Sequence, residues 1–362
     1  MTQLAERLAT RTLELVNIPS ESGHEAEIRE HLLALVPGDL RADYAGDEAY
    51  LFVPTRRAGA PLIVLAGHYD TVPAQGNVPG RIEGDVVHGL GASDMKGGVA
   101  VALELVRDRA QGLPGTADVA LLLFGREELP AEHDPLPALL AASRLVHQAA
   151  LVILLEPTDG CVHAGCLGNV VARLTFHGRS GHSARPWDAD SAIALAVGGL
   201  QPLFALEGRE AIVGGLPFVE VVSVTRFESG IADNVIPGTA TVTLNLRYPP
   251  DRSPADAEEY LRSLVPAGAT LEVVGHAPAG AVVADGPLVE ALLAAGAGRV
   301  EPKQAWTNVA DFTALGIPAV NFGPGHTRYA HRQDELVEIS ALVHAYETLE
   351  RLVTHEIRED GA

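Results

Sequence analysis

Seven residues of the types that bind metal or move protons recur at equivalent places along this 362-residue chain. His68 and Asp70 follow the apolar run 62–66 (LIVLA), and Glu127 and Glu128 follow 118–124 (DVALLLF). Glu156 follows 151–155 (LVILL), and His331 comes after GIPAVNFGPG, in AHRQDE. Asp94 stands in a glycine-bounded loop, GLGASDMK, just ahead of the helical run 98–109. Singly, each has a dull explanation: a histidine after an apolar run is more often a satisfied polar residue, and adjacent glutamates are commonly a solvated face. Together they collect at the carboxyl ends of predicted strands, where open α/β sheets gather their ligands.

Two imidazoles with three or more carboxylates form a borderline N/O set, suited to zinc first, or to cobalt or manganese. They are too many for one open catalytic zinc; sharing Asp94 between two ions ~3.5–4 Å apart would use them all. Asp70, two positions after His68 on the same side of the chain, is placed to orient the imidazole. Glu127 and Glu128 point opposite ways in extended chain. One can then bind metal while the other serves the attacking water as general base.

Short apolar runs bounded by turn residues suit strands buried on both faces. Such runs at 62–66, 118–124 and 151–155 alternate with helical patterns at 98–109 and 143–149. That alternation predicts a mainly parallel sheet with helices on both faces. At the start, residues 4, 8, 13 and 16 space apolar side chains as a helix does, and Ser20 or Ser22 is a candidate cap for a second helix ending near Leu35. Near Gly168 the pattern changes to strand (VVARLTF), helix (191–203), strands (218–227 and 239–248), helix (255–264) and strand (270–275). This is the β-α-β-β-α-β, ferredoxin-like order. Helix and strand then resume at 288–295, 319–322 and 339–354. The expected organisation is a discontinuous catalytic domain, 1–168 and 280–362, around an inserted domain, 169–279.

Net charge is −21, from 26 basic and 47 acidic residues, which argues against a nucleic-acid footprint. Cys161 and Cys166 give no disulfide framework and read as free thiols. There is neither the unbroken apolar core of a signal peptide nor a membrane span, so the expected location is the cytoplasm.

HYDTVP, GASDMKGG, GREE, EPT, GHSARP and AHRQDE, in this order around the inserted module, resemble the di-metal aminoacylase and exopeptidase family. That family includes succinyl-diaminopimelate desuccinylases, acetylornithine deacetylases and glutamate carboxypeptidases, and the likeness covers nearly the whole chain. It implies a small N-acyl amino acid as substrate, two divalent cations, and a homodimer built on the inserted domain. Residue by residue, it implies that His68, Asp94, Glu128, Glu156 and His331 are the metal ligands, with Asp94 bridging. Glu127 matches the general base and Asp70 the acid behind His68. His182, in GHSARP, matches a histidine that reaches across the dimer to polarise the amide carbonyl. Asn234, Arg247 and Thr307 match positions that hold substrate; without the resemblance, Asn234 reads as a turn residue and Arg247 as a surface charge.

Within the family, EPTDGCVHAGCLGN, GHSARPW, WTNVADFTALGIPAVNFGPG and AHRQDE are most similar to actinobacterial-type succinyl-diaminopimelate desuccinylases. The implied reaction is hydrolysis of N-succinyl-L,L-diaminopimelate to succinate and L,L-diaminopimelate. Acetylornithine deacetylation or another N-acyl hydrolysis is the nearest rival. The chain departs from close relatives at Asn308, Asp311 and His326, where Asp, Arg and Asp are common, and these changes bear on the substrate. A scaffold protein that had merely kept the fold would have lost ligands, yet all five, and Glu127, are present.

Overall fold

Four runs rich in Leu, Val and Ile lie side by side as parallel strands, in the order Asp118–Phe124, Leu62–His68, Ala149–Leu154 and Ala319–Asn321. The computed structural model to which they belong describes residues 2–354. Among these residues the sheet has eight strands, and Arg41–Gly46 and Ala49–Val53 extend it antiparallel beyond Asp118–Phe124. Past Ala319–Asn321 come Val162–Cys166, antiparallel, and the edge strand Val300–Lys303.

Alternate side chains explain why these strands read as continuous apolar runs. Ile63, Leu65, Val119, Leu121, Leu123, Leu151 and Ile153 pack into one core with helices Gln3–Val16, Gly97–Ala110, Pro287–Ala295 and Ile339–Thr354. Leu62, Val64, Ala66, Ala120, Leu122, Val152 and Leu154 point the other way and are equally buried. Pairing of His68 with Phe124, Ala66 with Leu154, and Leu154 with Asn321 aligns the four carboxyl ends at one edge. Glycine is required at 98, in the first turn of the crossover helix, because a Cβ there would lie 2.2 Å from the Leu155 carbonyl oxygen.

The helix expected over 143–149 lies earlier, at Leu136–Ala142, and Ser143 ends it; only a short 3₁₀ turn, Val146–Gln148, follows. The reason is the apolar face: Leu136, Leu139 and Leu140 share one side of that helix and are buried.

The chain divides into two compact units, Met1–Gly165 with Val283–Glu301 and Asp311–Ala362, and Cys166–Val282 with Pro302–Ala310. The second holds an antiparallel sheet in the order Leu216–Ser229, Thr239–Tyr248, Gly168–His177, Ala269–Ala277. This is the ferredoxin-like arrangement. Helices Ala192–Phe204 and Pro254–Ser263 cover one face through Ala196, Leu200, Ala257 and Leu261, packed on Val170, Ala172, Leu174, Val242 and Leu244. Thr241, Thr243 and Asn245 stay half-buried on the opposite face, as their alternation with apolar residues predicts. A fifth strand, Arg209–Val213, is added through the two-residue turn Gly214–Gly215, both at positive φ. Among the described residues no helix is long and apolar enough to cross a membrane.

Candidate metal centre

At the carboxyl edge of the eight-stranded sheet, Asp94 stands between two histidine–carboxylate pairs. Its Oδ1 is 3.2 Å from His68 Nε2, which is itself 3.7 Å from Glu156 Oε1. Its Oδ2 is 3.5 Å from His331 Nε2, which is 2.8 Å from Glu128 Oε1. One ligand atom each from His68, Asp94 and Glu128 falls within 4.8 Å of the others. Four residues from four other segments thus gather around the Asp94 carboxylate.

Asp70 organises the surroundings. Its main-chain carbonyl oxygen lies 3.2 Å from His68 Nδ1 and its Oδ1 3.4 Å, so the imidazole is held on the side away from Asp94. It also accepts the Glu127 amide at 3.1 Å, the Glu128 amide at 3.2 Å, and the Ser22 hydroxyl at 2.6 Å. Ser22 is therefore a partner of this carboxylate and not a helix cap; helix Ala26–Leu35 starts at Glu25 with no side-chain cap bond. The Glu127–Glu128 loop is steadied again through Tyr69, whose hydroxyl donates to the Glu48 carbonyl at 3.0 Å and carboxylate at 2.9 Å. The Gly125 amide bonds the same Glu48 carbonyl. Arg126 (φ 61°) and His331 (φ 60°) both adopt the left-handed conformation, which costs a side-chain-bearing residue of order 1 kcal/mol. Such strain recurs where a chain must aim a functional side chain.

Burial pushes the Glu127 carboxyl well above its ordinary range, and Glu128, Glu156 and Asp94 push it further, against the pull of His68. Burial raises Glu128 as well, although its bond to His331 opposes the shift. His331 is raised to about 9, chiefly by that same bond. Burial alone would lower His68, but hydrogen bonds to Asp70 and Asp94 and the charge of Glu127 carry it well above the usual value. Crowded carboxylates with elevated proton affinity, beside imidazoles that face them, make a pocket of negative potential that divalent cations fit.

His182, Asn234, Arg247 and Thr307 belong to the second unit. His182 and Asn234 are neighbours: strand Gly181–His182 pairs with Val235–Ile236, and the Ser183 amide bonds the Asn234 carbonyl. His182 Nδ1 accepts the Ala184 amide at 3.0 Å, so the neutral ring carries its proton on Nε2, and the side chain is exposed. Arg247 is half-buried, and its Nε donates to Asn245 Oδ1 at 2.9 Å. Thr307 is buried; its carbonyl accepts the Cys166 thiol, and its hydroxyl has no partner among the described residues.

Sequence reasoning passed over Ser22, Lys96 and Glu335. Lys96 is buried and donates to the Ile18 carbonyl at 2.9 Å, and burial lowers it to about 7. Glu335 accepts three backbone amides of the loop that carries Asp94. Glu335 sits inside AHRQDE, four residues beyond His331, and that motif was its only signal.

A family model described as "Peptidase family M20/M25/M40" matches residues 64–355. A provisionally named succinyl-diaminopimelate desuccinylase of Mycobacterium tuberculosis is 38% identical over 347 residues, 94% of this chain and 96% of that protein. The succinyl-diaminopimelate desuccinylase of Corynebacterium glutamicum is 33% identical over 365 residues, 92% of this chain and 94% of that protein. Among solved structures, a Staphylococcus aureus tripeptidase superposes with a TM-score of 0.77 at 18% identity, covering 96% of this chain and 97% of that one. This last likeness concerns the fold.

Proposed function

The chain belongs to peptidase family M20/M25/M40, and from that premise we propose that it hydrolyses N-succinyl-L,L-diaminopimelate to succinate and L,L-diaminopimelate. The observation that carries the reading is Asp94 between the pairs His68/Glu156 and Glu128/His331, a ligand set for two divalent cations, zinc foremost. When bound, such cations supply Lewis acidity toward the scissile carbonyl and the attacking water.

The chain's own residues then do the following. Glu127, with its raised proton affinity, takes the proton of the attacking water as the new C–O bond forms. It delivers that proton to the amine nitrogen as the C–N bond breaks. Asp70 fixes His68 and, through the amides of Glu127 and Glu128, the position of the base. In the proposed homodimer, the partner subunit's His182 donates from Nε2 to the carbonyl oxygen as it gains charge. Arg247, with no carboxylate bonded to its guanidinium among the described residues, receives a substrate carboxylate, and Asn234 and Thr307 supply neutral bonds.

The reading includes a homodimer built on the second unit. Helix Ala192–Phe204 is apolar on its outer side too, with Val197 54% and Phe204 68% exposed, and the stretch 221–229 of the neighbouring strand has one edge outside the sheet pairing. An unpartnered strand edge beside an apolar helix face suits a second copy of the chain. A cytoplasmic location accords with the two buried free thiols, Cys161 and Cys166.

The test is hydrolysis by chelator-stripped protein reconstituted with zinc, run on N-succinyl-L,L-diaminopimelate beside N-acetylornithine. Zinc-dependent cleavage of the succinyl compound alone is expected. Equal or greater activity on acetylornithine would move the protein to another N-acyl substrate of the same chemistry.

A further inference from the structure

We propose that Glu335 is a positioning residue that preforms the loop presenting Asp94, so that both halves of the metal centre depend on it. The proposal rests on the two-metal reading above and adds to it a residue that is neither ligand nor base. Glu335 is 2% exposed. Its Oε2 accepts the Gly91 amide at 2.9 Å, and its Oε1 accepts the amides of Ser93 at 3.0 Å and Asp94 at 2.9 Å. Its carbonyl accepts the Gly89 amide at 3.1 Å. Among the described residues no lysine, arginine or histidine nitrogen lies within bonding distance of this carboxylate. This buried carboxylate is bonded by main-chain amides of one loop, and its charge also favours the protonated forms of Lys96 and His331.

The loop needs such an anchor. Gly91 is left-handed (φ 78°), and Asp94 (φ −122°, ψ 93°) and Met95 (φ −132°, ψ 36°) leave helical geometry, so these amides have no regular helical ladder to join. Converging amides of this kind form an anion-binding concavity. Here the chain's own carboxylate fills it. A second clamp comes from the same segment: Ser93 Oγ bonds the His326 carbonyl at 3.4 Å, and a Cβ on Gly325 would meet that hydroxyl at 2.4 Å. The stretch 325–335 thus supplies His331 to one side of the centre and holds Asp94, which serves both.

This predicts a difference between two variants. Glu335→Gln replaces one acceptor oxygen by an NH₂ group that opposes a backbone N–H, and tilts Asp94. Zinc affinity should fall at both positions, by about 10- to 100-fold. His331→Ala removes a ligand of one position only and should leave the other close to wild type. Competition with a chromogenic chelator on metal-free protein reads both affinities without any turnover. Two zinc ions bound by Glu335→Gln with wild-type affinity would overturn the proposal and leave the two-metal reading standing. A wild-type protein that binds no zinc would overturn both. Because Glu335→Gln could fail to fold, amide hydrogen exchange on wild-type protein gives a separate answer. Ser93 and Asp94 should already be protected without metal; fast exchange there that slows only when zinc is added would mean the metal, and not Glu335, forms the loop.

Discussion

Ser22 donates its hydroxyl to Asp70 Oδ2 at 2.6 Å, bringing a loop from near the start of the chain onto the carboxylate behind His68. Asp70 also holds the amides of Glu127 and Glu128, so Ser22 acts through one intermediary on the residues proposed as ligand and base. Ser22→Ala should lower kcat several-fold with little change in KM. Asp70→Ala, which frees the imidazole and the base loop together, should cost about 100-fold. Steady-state kinetics on the hydrolysed substrate check both. Equal losses in the two variants would show that the hydroxyl matters for something other than Asp70.

Glu127→Ala should bind two metal ions as the wild type does and yet turn over at least about 100-fold more slowly. Metal content by elemental analysis, read beside the rate, separates the base from the ligands. A near-normal rate would assign proton transfer to another group.

The parts of this protein legible in the sequence are those fixed by short-range pattern. Doubly buried strands read as unbroken apolar runs, and His68 at the end of one strand, with Glu128 and Glu156 shortly past the ends of two others, came with them. Ser22 and Glu335 were not legible, because each acts on a carboxylate or loop far away in the chain, 48 residues on for Ser22 and more than 240 back for Glu335. Ser22 also carries a local signal, a serine before a helix, that points to the wrong partner. Strand Val162–Cys166 was missed because its Gly165 and half-buried His163 break the apolar run.

Zinc added to metal-free protein should raise thermal stability. A ligand at 100 times its Kd contributes about 2.7 kcal/mol when only the folded state binds it. The melting temperature should rise by several degrees in wild type and by less in Asp94→Asn, which weakens the residue facing both pairs. Superimposable melting curves with and without zinc would sink the metal assignment.

If the outer face of helix Ala192–Phe204 meets a second copy, Val197→Asp should yield monomers in sedimentation equilibrium without loss of helical signal. A dimer unchanged by that substitution would place the interface elsewhere.

Acid stability of the second unit should depend on Glu220. Its side chain is 2% exposed; both oxygens bond Arg209, Nε at 3.1 Å and Nη2 at 3.0 Å, and Arg252 approaches from beyond strand Thr239–Tyr248. Burial alone would raise its pKa, but the two guanidinium bonds outweigh burial and hold it below the usual glutamate range. Arg209 holds Asp251 low in the same way. A folded-state pKa below the unfolded one contributes stability that is fully present above the unfolded value, ~4.3 for Glu, and lost as pH falls through the folded value. Wild type should therefore lose denaturant resistance as pH drops below about 4.3. Glu220→Gln should be weaker by about 2 kcal/mol at pH 7, with a flatter profile in acid. Urea midpoints at pH 7 and in acid measure this: the gap between the two proteins should narrow in acid, and a constant gap would mean that Glu220 stabilises by shape and not by charge.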